Sequence, residues 1–76
     1  MPHVIVKLVV GRSEQTKARI AGEITKVIMA TANTAESAVS VSIEDVADED
    51  WAEKVFRPDI AAKPETLYKK PGYSVP

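Results

Sequence analysis

Pro2 is the residue of this chain whose type and position could do chemistry. Proline in second position is small enough for ordinary processing to remove Met1, which would leave Pro2 as the amino terminus, with a secondary amine in place of an amide. The pKa of an α-amino group is about 7.7–8.0, and an apolar pocket or a neighbouring cation lowers it further. A base that titrates near neutrality suits proton abstraction beside a carbonyl group. A simpler interpretation stands beside this one: Pro2 could be only a stiff start to a first strand, where a missing backbone donor is tolerated.

The sequence offers few side chains that could bind a metal ion or take part in redox chemistry. It contains no cysteine and only one histidine, His3. A thiolate metal site, a disulfide and a multi-histidine cluster are therefore excluded, and we expect neither a metal nor another cofactor. The formal net charge of -1 argues against a nucleic-acid partner.

The length of 76 residues and the hydrophobic fraction of 45 % predict one small folded domain over residues 1–76. A chain of this size buries only about 60 % of its unfolded surface, so we expect a homo-oligomer, which adds burial. No stretch is long enough to span a membrane. The apolar run at residues 4–6 is interrupted by Lys7 and follows no basic region, so it is not a signal peptide, and the expected compartment is cytoplasmic.

A strand and a long helix are predicted in the first half of the chain. β-branched residues dominate residues 2–10, with apolar side chains at both parities, as in a strand covered on both faces. Gly11-Arg12-Ser13 breaks this strand, and Ser13 is a good N-cap with Glu14 in the first helical turn. From residue 14 to about residue 32 the apolar side chains fall at i, i+4, i+7 and i+8, which predicts an amphipathic helix.

Residues 38–45 alternate between apolar and polar side chains and predict a second strand. A strand, a helix of this length and a second strand form a single β-α-β unit with parallel strands, in the α+β class. One helix covers only one face of a two-stranded sheet. We therefore expect a second copy of the chain to cover the other face and complete the sheet by dimerisation.

The pattern weakens over residues 47–76. An acidic turn leads into Trp51, and short helices are predicted at residues 52–57 and 65–70, separated by prolines. The tail at residues 69–76 is turn-rich and predicts an extended C-terminal arm. Tyr73 in this arm could pin it to a partner subunit.

A short chain that begins Met1-Pro2, with a first strand that runs into Gly11-Arg12-Ser13, a long helix and a second parallel strand, resembles the 4-oxalocrotonate tautomerase family. The likeness covers roughly the first fifty residues, at matching spacing, and is carried by Pro2, Gly11-Arg12-Ser13, Lys17, Glu23, Ile28 and the strand at residues 39–43. Residues 69–74, together with Met1-Pro2-His3 and Trp51, are similar to a longer bacterial subgroup named for activity on phenylpyruvate.

The resemblance implies a cofactor-independent isomerase that interconverts keto and enol groups. Pro2 would move a proton between an enol oxygen and the adjacent carbon of a 2-oxo acid. Arg12 would bind a carboxylate or carbonyl oxygen of the substrate, and since family sites use more than one subunit, it could serve a neighbour's Pro2. Trp51 falls where the family has an aromatic wall, which would exclude water and lower the pKa of the Pro2 amine. His3, at the opposite parity to Pro2, is expected to point away from this pocket.

The sequence departs from the family at Ser40, where short members carry a second arginine. A guanidinium group offers a carboxylate two parallel hydrogen bonds, whereas a serine hydroxyl offers one. The expected substrate is therefore a monocarboxylate enol with an apolar or aromatic group, such as phenylenolpyruvate. A dicarboxylate such as 2-hydroxymuconate fits this pocket less well.

Two other functions stay open at this point. A hydratase or hydrolytic dehalogenase of the same superfamily would use a protonated Pro2 and a carboxylate that activates water, for which Glu44 is a candidate. A non-enzymatic dimeric binding domain with a vestigial pocket would keep Met1, because an acylated proline nitrogen has no usable lone pair.

Overall fold

The computed structural model describes every residue from Met1 to Pro76. The chain forms strand β1 (His3–Val9), helix α1 (Glu14–Ala32) and strand β2 (Ser40–Val46), followed by a π-helix (Ala52–Ala61). Single 3₁₀ turns lie at Glu36–Ala38, Asp48–Asp50 and Pro64–Thr66. The predicted β-α-β unit of the α+β class is confirmed.

The two strands pair in parallel, from His3 opposite Ser40 to Val9 opposite Val46. Because side chains alternate along a strand, this register divides the sheet into two faces. Lys17 of α1 donates to Asp45 of β2 at 2.6 Å, so α1 covers the face that carries Asp45. We call the opposite face the open face; it carries His3, Ile5, Lys7, Ser40, Ser42 and Glu44.

Local hydrogen bonds fix both ends of helix α1. The Ser13 Oγ atom accepts a hydrogen bond from the Thr16 N–H at 3.1 Å, which satisfies one free donor of the first turn. At the other end, Asn33 adopts the left-handed conformation with φ of 54°, and its N–H donates to the Met29 carbonyl oxygen. The predicted bounds of this helix are confirmed.

The second half of the chain differs from its prediction in two places. The helix expected at residues 52–57 continues through Pro58 to Ala61, and the Ala62 N–H donates to the Arg57 carbonyl oxygen at 3.0 Å. One proline removes one donor, and the five-residue hydrogen bonds beyond it keep the helix together. The helix expected at residues 65–70 is instead the single turn Pro64–Thr66. The N–H and hydroxyl groups of Thr66 both donate to the Lys63 carbonyl oxygen, which closes the turn on itself.

A single chain has almost no core of its own. Val55 is its only buried residue, with 5 % of its surface exposed. The chain exposes 5,776 Å², whereas a folded monomer of 8.3 kDa exposes about 4,600 Å². The molecule is also only 18 Å thick along its shortest axis, which fits one sheet and one helical layer. Ile5 on the open face and Val27 on α1 are both more than half exposed, so apolar surface is left uncovered on each side of the sheet.

None of the helices combines the length and the apolar composition needed to cross a bilayer. The cytoplasmic compartment stays a prediction from the sequence.

Candidate active site

A cleft of about 450 Å³ lies between the open face of the sheet and the π-helix. Ile5 and Lys7 contribute from β1, and Trp51 stands at the start of the π-helix. The remaining lining residues are Val55, Asp59, Ile60, Lys63 and Thr66. Four apolar side chains and three charged ones thus share one concave surface, as in a site for a small organic anion.

An ion pair joins the two walls of this cleft. The Lys7 Nζ atom donates a hydrogen bond to the Asp59 carboxylate, and both side chains are about one-third exposed, at 29 % and 33 %. The hydrogen bond that the Lys7 ammonium donates to Asp59 raises the pKa of Lys7 above its ordinary value. Lys7 is therefore charged at neutral pH. Lys63 makes no ion pair, so the lining of the cleft carries one net positive charge.

Pro2 and Ser40 lie side by side at the amino ends of the two strands. The Ser40 N–H donates to the Pro2 carbonyl oxygen at 3.2 Å. Pro2 is half-buried, whereas the side chain of Met1 is fully exposed. Ile5, the first cleft residue of β1, is three residues further along the strand, which corresponds to about 10 Å. The amino end of β1 therefore lies about 10 Å along the strand from the nearest cleft residue of β1.

His3 lies on the open face, with Ile5 and Lys7, and its Nδ1 atom is 2.6 Å from the Ser40 Oγ atom. Since Ile5 and Lys7 line the cleft, the odd-numbered residues of β1 are the ones that face it. His3 thus lies on the face of the sheet that bears the cleft, although it is not among the residues that line the cleft. Alternation along a strand predicts which side chains share a face of the sheet, but the packing of the π-helix determines which face lines the cleft.

Trp51 is held by the C-terminal tail of its own chain. Its indole Nε1 donates to the Tyr73 hydroxyl oxygen at 2.8 Å, and the Tyr73 ring packs 5.5 Å from that of Phe56. The Arg57 Nη2 atom also donates to the carbonyl oxygen of Pro76 at 2.7 Å. Tyr73 is thus an anchor, as expected, but within the subunit: it fixes the tail against the residue that walls the cleft.

We expect Tyr73→Ala to loosen Trp51. The variant loses one hydrogen bond and one ring contact, which should lower the free energy of unfolding by about 1 kcal/mol. Trp51 is the only tryptophan of the chain, so its fluorescence should shift to longer wavelength as the indole gains water. Tyr68→Ala is the matched control, because Tyr68 is 99 % exposed. An equal shift in both variants would show that the tail does not hold Trp51.

Arg12 lies at the far end of β1 from Pro2. It is exposed, and its Nη1 atom donates to the Val9 carbonyl oxygen at 3.3 Å. The seven residue steps from Pro2 to Val9 span about 23 Å of extended strand. Within one chain, the structure therefore brings Pro2 and Ser40 together, puts Trp51 in the cleft, and leaves Arg12 remote.

Apart from Trp51, none of the residues that line the cleft was predicted as a site residue, and the ion pair of Lys7 and Asp59 was missed. Lys7 was treated only as an interruption of an apolar run, and Asp59 had no role. The signal for Lys7 was a charge inside a strand of β-branched residues. Nothing local pointed to Asp59, because it lies 52 positions from its partner.

Comparisons with known proteins agree with this architecture. The family model described as "Tautomerase enzyme" matches residues 2–56. A protein of Xylella fastidiosa (strain 9a5c) named "Probable tautomerase" is 44 % identical over 73 residues, covering 96 % of this chain and 89 % of the relative. "Tautomerase PptA" of Escherichia coli (strain SMS-3-5 / SECEC) is 38 % identical over 76 residues, covering 99 % of this chain and all of the relative.

Solved structures match about two-thirds of the chain. TomN, described as a 4-oxalocrotonate tautomerase homologue in the tomaymycin biosynthetic pathway, superimposes with a TM-score of 0.64 and 34 % identity. The match covers 66 % of this chain and 77 % of TomN. A 4-oxalocrotonate tautomerase isozyme from Methylibium petroleiphilum also gives a TM-score of 0.64, with 30 % identity and coverage of 66 % and 81 %. The curated relatives, in contrast, align over almost the whole chain.

Proposed function

The chain belongs to the tautomerase family and is therefore an isomerase, and from that premise we propose that it is a cofactor-independent keto–enol tautomerase with the Pro2 amine as its general base. The observation that carries this proposal is the position of Pro2. It directly precedes strand β1, whose open face forms an apolar cleft with net positive charge. A small anionic enol bound in that cleft would present its reacting atoms toward the amino end of β1.

In the proposed reaction the neutral amine of Pro2 accepts the proton of the enol hydroxyl group. The enolate then reforms the carbonyl group as the adjacent carbon takes the proton back from the ammonium. No atom is gained or lost by the substrate, and the amine returns to its starting state. Trp51 would keep water from the amine, which favours its neutral form. Removal of Met1 is a condition of this mechanism, because an amide nitrogen accepts no proton at neutral pH.

We propose that the active form is a homo-oligomer, with a dimer favoured. The near absence of a buried core and the excess exposed surface of one chain support assembly. The separation of Arg12 from Pro2 adds a functional reason, since only another copy could bring the Arg12 guanidinium group to the amino end of β1. The chain continues for thirty residues past β2, and we favour a dimer because we expect this extension to block further assembly.

The proposed substrate is a monocarboxylate enol such as phenylenolpyruvate. Its carboxylate would bind Arg12 of a neighbouring subunit, and its ring would lie against the apolar residues of the cleft, Ile5 and Trp51. Ser40 offers a hydroxyl group where a second guanidinium group would bind a second carboxylate. A carboxylate left there without an ionic partner loses hydration at a cost of several kcal/mol when buried.

The test is to compare two substrates on protein from which Met1 has been removed, as verified by intact mass. We expect ketonisation of phenylenolpyruvate with the higher kcat/KM and little or no activity on 2-hydroxymuconate. A preference for the diacid would contradict the proposed substrate class. A lack of activity on both would contradict the proposed reaction.

The hydratase or dehalogenase alternative has less support. Glu44 is exposed and lies opposite Lys7 in the register, four residue pairs from His3 and Ser40. That distance corresponds to about 13 Å along the strand. Glu44 is also absent from the lining of the cleft, so no carboxylate of β2 stands where it would activate water beside Pro2.

A further inference from the structure

We propose that Tyr73 is a positioning residue for substrate binding: its hydroxyl group holds the Trp51 indole in the cleft, where the ring of the substrate lies against it. This inference rests on the proposed tautomerase function and names the part of the chain that selects ring-bearing enols. That part is the C-terminal tail, residues 69–76. The tail lies beyond residues 2–56, which the family model matches, and contributes no residue to the lining of the cleft.

Two hydrogen bonds join this tail to the rest of the chain. The Tyr73 hydroxyl oxygen accepts the indole N–H of Trp51 at 2.8 Å, and the Pro76 carbonyl oxygen accepts from Arg57 at 2.7 Å. No backbone hydrogen bond connects the tail to another segment. Tyr73 is therefore the residue of the tail whose side chain bonds directly to a wall of the cleft.

The backbone of Trp51 is fixed by local structure, but its side chain is fixed by the tail. Trp51 continues the turn Asp48–Asp50 into the π-helix, with φ of -58° and ψ of -46°, and its backbone N–H donates to the Asp48 carbonyl oxygen. The indole can still rotate about its side-chain bonds, and its only polar atom is Nε1. The hydrogen bond from Nε1 to Tyr73 selects the orientation in which Trp51 lines the cleft.

The same hydrogen bond determines which part of the indole the substrate meets. The Nε1 hydrogen is donated to Tyr73, which is outside the lining of the cleft. The substrate therefore meets the apolar surface of Trp51 and not its one donor. Such a surface favours an aromatic ring over a small polar side group.

The substrate ring needs to reach only the end of the cleft nearer to Pro2. Ile5 is about 10 Å along the strand from Pro2, a separation that the phenyl group of the substrate and the isoleucine side chain bridge together. Because Ile5 and Trp51 line the same cleft, we expect the ring to contact the indole as well. No contact with Lys7 is required.

The experiment is Tyr73→Phe, which removes only the hydroxyl group and keeps the ring that packs against Phe56. After removal of Met1, we expect KM for phenylenolpyruvate to rise about fivefold, because substrate binding must then order the indole. The kcat value should change little on the alkaline plateau of the pH profile, where the Pro2 amine is neutral. For the enol of pyruvate, which has no ring, neither constant should change.

A double-mutant cycle with Trp51→Phe tests whether the effect passes through the indole. Phenylalanine has no N–H to donate, so Tyr73→Phe should not raise KM further in that background. Tyr68→Phe is the matched control, because it removes a hydroxyl group from a side chain that is 99 % exposed. Its KM should equal that of the wild type. If Tyr73→Phe does not fold, Tyr73→Leu also lacks the hydroxyl group and carries the same expectation.

The outcomes separate this inference from the proposed function. A wild-type protein without activity on either enol defeats the proposed function. A wild-type protein that ketonises phenylenolpyruvate, together with an unchanged KM in Tyr73→Phe, defeats only the role of Tyr73. A KM that rises equally for the enol of pyruvate, or that rises again in the Trp51→Phe background, would show a general loss of structure and also overturn the inference.

Discussion

Replacing Pro2 with alanine is expected to lower kcat/KM for phenylenolpyruvate by about 10²-fold or more, the usual contribution of a positioned general base. The variant keeps an amino-terminal amine, but a primary one on a freer backbone, and Pro2 is the residue that fixes the start of β1 beside Ser40. In the wild type, the pH profile of kcat/KM should show a base titrating near or below about 7.7–8.0, the reference range for an α-amino group.

An amino-terminal extension that can be removed by a protease supplies the control. With the extension in place, the Pro2 nitrogen is an amide, and we expect a folded but inactive protein. Cleavage that leaves Pro2 first should restore activity. Full activity of the uncleaved protein, or of Pro2→Ala, would show that the proton is moved by another group.

Replacing Arg12 with alanine is expected to raise KM and to lower kcat/KM for a carboxylate substrate by about 10²-fold. This follows from the loss of one charged hydrogen-bonding pair, worth about 1.5–3 kcal/mol. The folding of the chain should be little affected, because Arg12 is exposed and makes one long hydrogen bond, to the Val9 carbonyl oxygen. Wild-type kinetics in this variant would mean that the carboxylate is bound elsewhere.

Mixing the two variants tests whether Arg12 acts between subunits. Pro2→Ala and Arg12→Ala are unfolded together and refolded, so that mixed oligomers form. If Arg12 of one subunit serves Pro2 of another, some mixed sites contain both native residues, and activity returns above that of either variant alone. Light scattering on each unmixed protein establishes that it assembles. No recovery from assembled mixtures would place both residues in the same subunit's site.

The ends of helix α1 could be predicted from the sequence because the interactions that fix them are local. Ser13 and Thr16 are three residues apart, and Asn33 bonds back to Met29 in the preceding turn. The parallel pairing of the strands could also be predicted from the sequence, because a helix of this length between two strands leaves few other arrangements. Family membership followed from Pro2, Gly11-Arg12-Ser13 and the spacing of these elements.

The cleft, in contrast, was decided by tertiary structure. Lys7 and Asp59 meet across 52 positions, and Trp51 and Tyr73 across 22, so no short-range pattern encodes either pair. The direction of His3 also depended on which face of the sheet the π-helix covers, since strand alternation is symmetric between the two faces. The chemistry available at Pro2 and the β-α-β frame that carries it could be predicted from residue types and their spacing alone. Packing of the last thirty residues determined which side chains surround the cleft, because those contacts form only once distant segments are brought together.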